Sequence, residues 1–198
     1  MIKVLLSGGM DSAVCLAWAT FKHGPGIDCL FFSYGQRHCD QEYLSALKVA
    51  AQFGSRVWSV NLTIGGNSSL TGGSGELIGE DVVVPNRNEA MLRRGASLFP
   101  GRHPGYLAPD VLVMGCCRDD WDVFEDCRPE FFDRMRAELD PVKIETPLID
   151  LDKKQVYEMA KTYGGTALID MTWSCYAGGD EPCGVCGACV ARSRGIGG

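Results

Sequence analysis

Residues 2–12 read Ile-Lys-Val-Leu-Leu-Ser-Gly-Gly-Met-Asp-Ser. The short aliphatic run Ile2–Leu6 predicts a strand covered on both faces, as in a parallel sheet. It runs into a glycine turn, and Asp11–Phe21 then carries Ala13, Val14, Leu16, Ala17 and Trp18 along one helical face. A strand that enters a helix through such a turn aims backbone N–H groups and a helix N-terminus at one point, where they can hold phosphate. Gly8 and Gly9 reach backbone angles closed to other residues and let an anion approach the amides. Leu6 and Met10 flank the turn, and Ser7 and Ser12 add hydroxyl donors. Asp11 would repel phosphate by itself; its charge makes sense beside Mg²⁺, which bridges carboxylate and phosphate oxygens. A tight turn with Asp11 and Ser12 capping the helix would use the same residues. Neither a G-x-x-x-x-G-K-[ST] loop nor a G-x-G-x-x-G turn follows Leu6.

Outward from this stretch the pattern repeats. Ile27–Ser33 reads as a second strand, Gln41–Phe53 as a helix, and Val57–Leu62 as a third strand. Strand and helix in alternation predict a doubly wound, mainly parallel α/β sheet with flanking helices. Thr63–Gly79 is rich in Gly and Ser and reads as a flexible loop or lid, with a short strand at Val82–Val84. Glu89–Leu98, Pro129–Leu139 and Asp152–Tyr163 read as helices, and Val111–Met114 as a fourth core strand ending at Gly115. Pro100–Pro109 interrupts the pattern. The expected organisation is an α/β domain over 1–171 with a small metal-binding segment, 172–198, packed on it.

The chain has 198 residues, 45% of them hydrophobic, enough for one sizeable core. A formal net charge of -6 argues against a broad nucleic-acid surface, which needs concentrated basic residues. Arg87, Arg93, Arg94 and Arg102 could still line a local anionic site. No apolar run reaches membrane-spanning length and no secretory segment precedes the glycine turn, so a soluble cytoplasmic protein is expected. Ten cysteines in that setting point to thiols and metal ligation more than to disulfides. Cys15 and Cys29 lie in apolar runs and are expected to be packed and unreactive.

Cys175, Cys183, Cys186 and Cys189 are different, because their spacing lets four soft ligands converge on one ion. Zinc with four thiolates fits best, as a closed structural site; a Cys-x2-Cys-x2-Cys run also opens some iron–sulfur patterns. Arg192 and Arg194 could offset part of the thiolate charge or hydrogen-bond to sulfur, depending on which way they point. Three further clusters can carry chemistry. Tyr34-Gly35-Gln36-Arg37-His38 follows the second strand, at the sheet edge where ligands bind. Val84-Pro85-Asn86-Arg87-Asn88 presents an Arg–Asn pair. Asp126-Cys127-Arg128-Pro129-Glu130-Phe131 sets acids around an arginine at a helix entrance, where Arg128 suits a bidentate partner and Glu130 a guanine-like edge. Each cluster could equally be a polar loop or a local salt bridge.

Ser7–Ser12 resembles the SGGxDS signature of the N-type ATP pyrophosphatase superfamily, whose loop cradles departing pyrophosphate. The three later clusters, with Thr172-Trp173-Ser174-Cys175-Tyr176 and Cys183-Gly184-x-Cys186-x-x-Cys189, resemble in order the blocks of the 7-cyano-7-deazaguanine synthase family. The likeness runs from Ile2 to about Gly195. It implies an adenine nucleotide alpha-hydrolase-like fold and a ligase that uses ATP, Mg²⁺ and structural Zn²⁺. The expected reaction converts 7-carboxy-7-deazaguanine and ammonia to the nitrile through an acyl-adenylate and an amide, and the expected assembly is a homodimer with no stable nucleic-acid partner. Ser7, Asp11, Ser12, Arg37 and His38 are then the candidate catalytic residues. Leu6, Gly8, Gly9, Met10, Arg87, Asn88 and Gly115 join Ser7, Asp11 and Ser12 around the nucleotide. Gln36, Arg37, His38, Asp126, Arg128 and Glu130 are the candidate substrate contacts. Asp120-Trp121-Asp122-Val123-Phe124-Glu125 departs from the family's glycine-tyrosine-proline approach, and Pro100–Pro109 looks like an insertion.

Overall fold

A computed structural model describes residues 1–100 and 109–197. Arg102 and nearly all of the expected 100–109 insertion lie outside the described residues. The five strands are β1 (Ile2–Leu5), β2 (Asp28–Ser33), β3 (Arg56–Asn61), β4 (Val111–Val113) and β5 (Lys143–Glu145). They form one sheet in the order β3-β2-β1-β4-β5, with every pair parallel. The helices are α1 (Met10–His23), α2 (Cys39–Gln52), α3 (Arg87–Ser97), α4 (Pro129–Glu138), α5 (Lys153–Tyr163), α6 (Ala167–Asp170) and α7 (Gly187–Ile196).

The pleat sorts the core. Val4, Leu6, Cys29, Phe31, Val111 and Val113 point to the face covered by α1, α2 and α5, where Ala13, Leu16, Val49 and Val156 meet them. Their sequence neighbours Leu5, Leu30, Phe32, Leu112 and Met114 point the other way, against Leu92 of α3 and Phe132 and Met135 of α4. Near-continuous apolar strands are what burial on both faces requires. Cys15 and Cys29 sit fully inside, and burial pushes the Cys29 thiol up to about 12, so neither is a reactive thiolate.

The strand order determines where a ligand can bind. From β1 the chain winds outward through β2 and β3, then returns to the other side of β1 as β4. The connections after β1 and β4 therefore leave in opposite directions and open a crevice at the carboxyl ends of the two strands. The glycine turn follows β1 and Gly115 follows β4, so both stand at this crevice.

The segment expected as a loop or lid, 63–79, is irregular apart from one 3-10 turn, Ser69–Thr71; a second, Gly79–Val82, begins at its last residue, and Leu70 packs with Val82 and Val84 in a small third core beside Tyr34 and Tyr176. Its apolar residues are irregularly spaced, so no periodic signal marked them. The expected strand at Val82–Val84 does not form; Val82 ends the second 3-10 turn. Strand β5 and helices α6 and α7 had not been expected. β5 is only three residues long, and α7 lies inside the cysteine tail, where metal-ligand spacing obscures helical periodicity.

Candidate active site

The crevice between β1 and β4 deepens into a cavity of about 300 Å³. Leu6, Ser7, Gly9, Met10, Asp11 and Ser12 form its floor. Ser12 Oγ donates to the Gly9 carbonyl at 2.9 Å and lies 3.2 Å from Ser7 Oγ, which accepts from Gly9 N–H at 3.3 Å. The turn is held by its own hydroxyls. Gly8 lies beneath the floor with φ +85°, and a Cβ there would sit 2.2 Å from the Glu42 carbonyl oxygen of α2. Only glycine fits. Gly115 reaches the cavity for a related reason: its Cβ position lies 2.9–3.1 Å from the backbone of Asp11 and Ser12.

One wall is charged. Lys153, the first residue of α5, is buried, and its Nζ lies 2.5 Å from Asp11 Oδ2 and 3.5 Å from Asp120 Oδ1. Burial works against its charge, but Asp11 and then Asp120 outweigh this and hold the ammonium well above the ordinary lysine pKa. Burial raises the Asp11 carboxyl; Lys153 opposes this, and Asp120 and Asp119 reinforce it. Asp11 Oδ1 is buried without a hydrogen-bond partner. Oxygens of Asp11 and Asp120 lie within 4.8 Å of each other and of Cys117 Sγ, a spacing that admits a cation.

The helix that carries Lys153 begins with a capping box: Asp152 accepts from Gln155 N–H at 2.8 Å, and Gln155 Oε1 accepts from Asp152 N–H at 3.0 Å. Asp119 Oδ2 accepts from Lys153 N–H at 3.2 Å. Sequence reading missed Lys153, Asp119 and Asp120. One signal was present: a lysine in the first turn of a helix opposes the dipole and needs another partner.

The other wall collects the later clusters. His38 is buried and lies 5.5 Å from the Tyr176 ring; its Nε2 is 3.5 Å from Glu42 Oε1, and its Nδ1 has no partner. Gln36 is pinned by its own loop, accepting from Tyr34 N–H and donating to the Phe32 carbonyl and Glu42. Arg87 stands over Phe124 at 5.7 Å and donates to Asn88 Oδ1. Burial disfavours its charge; the carboxylate of Asp126 supports it, as Tyr34 and Tyr176 do only once ionised, and the guanidinium stays charged. Burial raises the Tyr34 and Tyr176 hydroxyls, which stay neutral beside it.

Several sequence candidates lie elsewhere. Arg37 is exposed and outside the cavity lining, although its neighbours Gln36 and His38 line it. Asp126 is also outside; its Oδ2 and carbonyl accept from Asn88 N–H and Nδ2, each at 3.0 Å, so it positions a lining residue. Arg128 and Glu130 are exposed, and Arg128 Nε donates to the Trp121 carbonyl at 2.9 Å. A loop alternates inward and outward residues with no fixed period, so adjacent polar residues part company.

The four cysteines converge: Sγ atoms of Cys175, Cys183, Cys186 and Cys189 lie within 4.8 Å of one another. Backbone N–H groups of Ala177 and Cys183 donate to Cys175 Sγ, Cys186 N–H to Cys183 Sγ, and Tyr176 N–H to Cys186 Sγ. Those donors stabilise thiolates, and the amides of Val185 and Cys186 lower the Cys183 thiol to about 6. This donor set fits a closed tetrahedral zinc site. Of the two roles open to Arg192, a hydrogen bond to sulfur is not made, while Cys189 still acts on its charge through space. Its Nη1 donates to Thr172 Oγ1 at 2.5 Å and to Ser174 Oγ at 3.3 Å, and its Nη2 to the Ile169 carbonyl at 2.6 Å. The tail is fastened to the floor, since Trp173 N–H donates to the Gly8 carbonyl at 2.9 Å.

Comparison with known proteins agrees with this geometry. The family model described as "Queuosine biosynthesis protein QueC" matches residues 2–197. A 7-cyano-7-deazaguanine synthase of Prochlorococcus marinus (strain MIT 9303) is 36% identical over 213 residues, covering 97% of this chain and 90% of that protein. The enzymes of the same name from Acidobacterium capsulatum and Oceanobacillus iheyensis are 34% and 35% identical and cover 96% and 98% of this chain, with 89% and 91% of their own lengths matched. The glycine turn, the charged wall beside it and the four-cysteine cluster are thus carried on a chain that matches this family from end to end, and the protein belongs to the queuosine biosynthesis QueC family.

Proposed function

We propose that the protein converts 7-carboxy-7-deazaguanine and ammonia to 7-cyano-7-deazaguanine at the expense of ATP, and that the β1–β4 cavity is the site of both adenylations. The observation that carries this reading is that the glycine turn, Lys153 and Arg87 all line one cavity. A carboxylate is a poor acyl donor to ammonia because oxide would have to leave. Attack of its oxygen on the ATP α-phosphate expels pyrophosphate and gives an acyl-adenylate. Ammonia displaces AMP to form the amide. The amide oxygen attacks a second ATP, and loss of AMP with the amide protons gives the nitrile.

The amides and hydroxyls of Ser7–Ser12 bind the departing pyrophosphate as its charge develops. Asp11 and Asp120, with the unpartnered Asp11 Oδ1, are the residues that would hold Mg²⁺, which supplies charge neutralisation on the phosphates. Lys153 exchanges its carboxylate contacts for an α-phosphate oxygen. Phe124 and the two tyrosines offer flat surface to the deazapurine, and Arg87 and the free Nδ1 of His38 offer polar contacts to its substituent. One site serves both steps because both attacking oxygens sit at the same distance from the ring.

Among the described residues no helix is long and apolar enough to cross a membrane. The family resemblance adds a homodimer. Incubation with ATP, Mg²⁺, ammonium and the carboxylate, followed by mass analysis, tests the reaction. Two AMP per nitrile and no ADP are expected. ADP as the nucleotide product, or an amide that excess ATP leaves unconverted, would overturn it.

A further inference from the structure

Helix α7 does more than close a metal site. Gly187, Ala188, Ala191 and Arg192 line the same cavity as the glycine turn. Arg192 stands one helical turn beyond Cys189, so the cysteine cluster fastens the helix that carries it. It is half-buried, and among the described residues no carboxylate lies within ion-pair distance of it. Lys153, by contrast, is paired directly with Asp11 and Asp120, whereas Asp170 and Cys189 act on Arg192 from beyond ion-pair distance.

The three hydrogen bonds of Arg192 all go to neutral oxygens, those of Thr172, Ser174 and Ile169, which fix its direction without neutralising it. A guanidinium has five N–H donors, so part of the fork remains for a ligand. Two contacts locate that ligand. Trp173, between the two hydroxyl residues that hold Arg192, bonds to Gly8 of the turn, and its carbonyl lies 3.5 Å from the Cβ position of Gly9. One turn farther along α7, the Cβ position of Gly195 lies 3.0 Å from the Lys153 carbonyl, so α7 packs on the start of α5.

We propose that Arg192 is a polyphosphate-binding residue of the ATP site, presented to the glycine turn by the zinc-fastened helix α7. It takes the pyrophosphate portion of ATP, and it makes the metal cluster a determinant of nucleotide affinity. This rests on the assignment of Ser7–Ser12 as the pyrophosphate cradle. A charge-assisted, bidentate contact has the strength to matter, and arginine suits it better than lysine.

Calorimetric titration of the zinc-loaded protein with magnesium pyrophosphate and, separately, with AMP tests the proposal. Arg192→Gln keeps donors for Thr172 and Ser174 but removes the charge. It is expected to weaken pyrophosphate binding by about 10- to 100-fold and leave AMP binding within about two-fold. Arg192→Lys keeps the charge and loses the fork, so a loss of about 3- to 10-fold is expected with AMP again unaffected. Zinc content should stay at that of the parent in both. If Arg192→Gln fails to fold, the lysine variant alone decides. Unchanged pyrophosphate affinity, or equal losses for pyrophosphate and AMP, would overturn the assignment. A Ser7→Ala/Ser12→Ala protein separates the two levels. If it loses pyrophosphate while Arg192→Gln does not, only the Arg192 role falls; if neither does, the cradle falls with it.

Discussion

Replacement of Lys153 by methionine isolates the charged wall. Methionine keeps most of the buried stem and removes the ammonium, leaving Asp11 and Asp120 facing each other beside Asp119. At an effective dielectric of about 20, Coulomb's law gives a gross attraction of about 7 kcal/mol for the 2.5 Å contact and about 5 kcal/mol for the 3.5 Å contact. Desolvation of the three groups cancels most of this, and unpairing a buried ion typically costs about 3–5 kcal/mol. The loss should depend on pH in a defined direction. Without Lys153, burial and the neighbouring acids raise the Asp11 carboxyl further above its unfolded value. A folded-state pKa raised above the unfolded one means that the folded protein binds the proton more tightly, so variant stability rises as pH falls through the raised value. Urea denaturation of parent and variant at pH 8 and pH 5 reads this directly. A deficit of about 3–5 kcal/mol at pH 8 should shrink to less than about half at pH 5. A deficit that is small, or equal at both pH values, would refute the electrostatic account of the wall. Pyrophosphate release should fall by about 100-fold or more, the scale of a lost transition-state charge contact.

Other perturbations probe the floor, the tail and the far wall. Gly8→Ala forces a Cβ to within 2.2 Å of the Glu42 carbonyl at a left-handed backbone angle. Failure to accumulate folded protein, or a loss above about 3 kcal/mol in urea denaturation, is expected, whereas a stable variant would contradict the close approach. Cys186→Ser should lower zinc content by metal analysis and expose α7 to protease, because the metal supplies the folding energy of a glycine-rich tail; full zinc with an unchanged digest would sink this. Arg87→Gln should cut kcat/KM by about 100-fold while Arg37→Gln, which alters an exposed residue, stays within about three-fold. The reverse ranking in a steady-state assay would show that the cavity has been drawn in the wrong place.

The local signals in this chain were strong where chemistry and backbone coincide. Apolar strands, the Gly8–Gly9 turn and the cysteine spacing each state a requirement that neighbouring residues satisfy, so the parallel α/β sheet, the glycine turn between β1 and α1 and the metal cluster were legible in order along the chain. Motif adjacency was a poorer guide to which side chain faces the cavity. Gln36 and His38 line it while Arg37, between them, is exposed; Asn88 lines it while Asp126 holds Asn88 from behind.

What the chain carried by itself was therefore the set of parts: a strand, a glycine turn and a helix able to hold phosphate, and four thiols able to hold zinc. Tertiary structure decided their company. Lys153 stands 142 residues from Asp11, and Arg192 is joined to the turn through the Thr172–Ser174 segment, whose Trp173 bonds Gly8. Such pairings follow from the return of β4 beside β1 and the packing of α7 on α5. Periodicity and propensity act over a few residues, whereas the free energy that seats a buried cation among carboxylates is released only when distant segments close on one crevice.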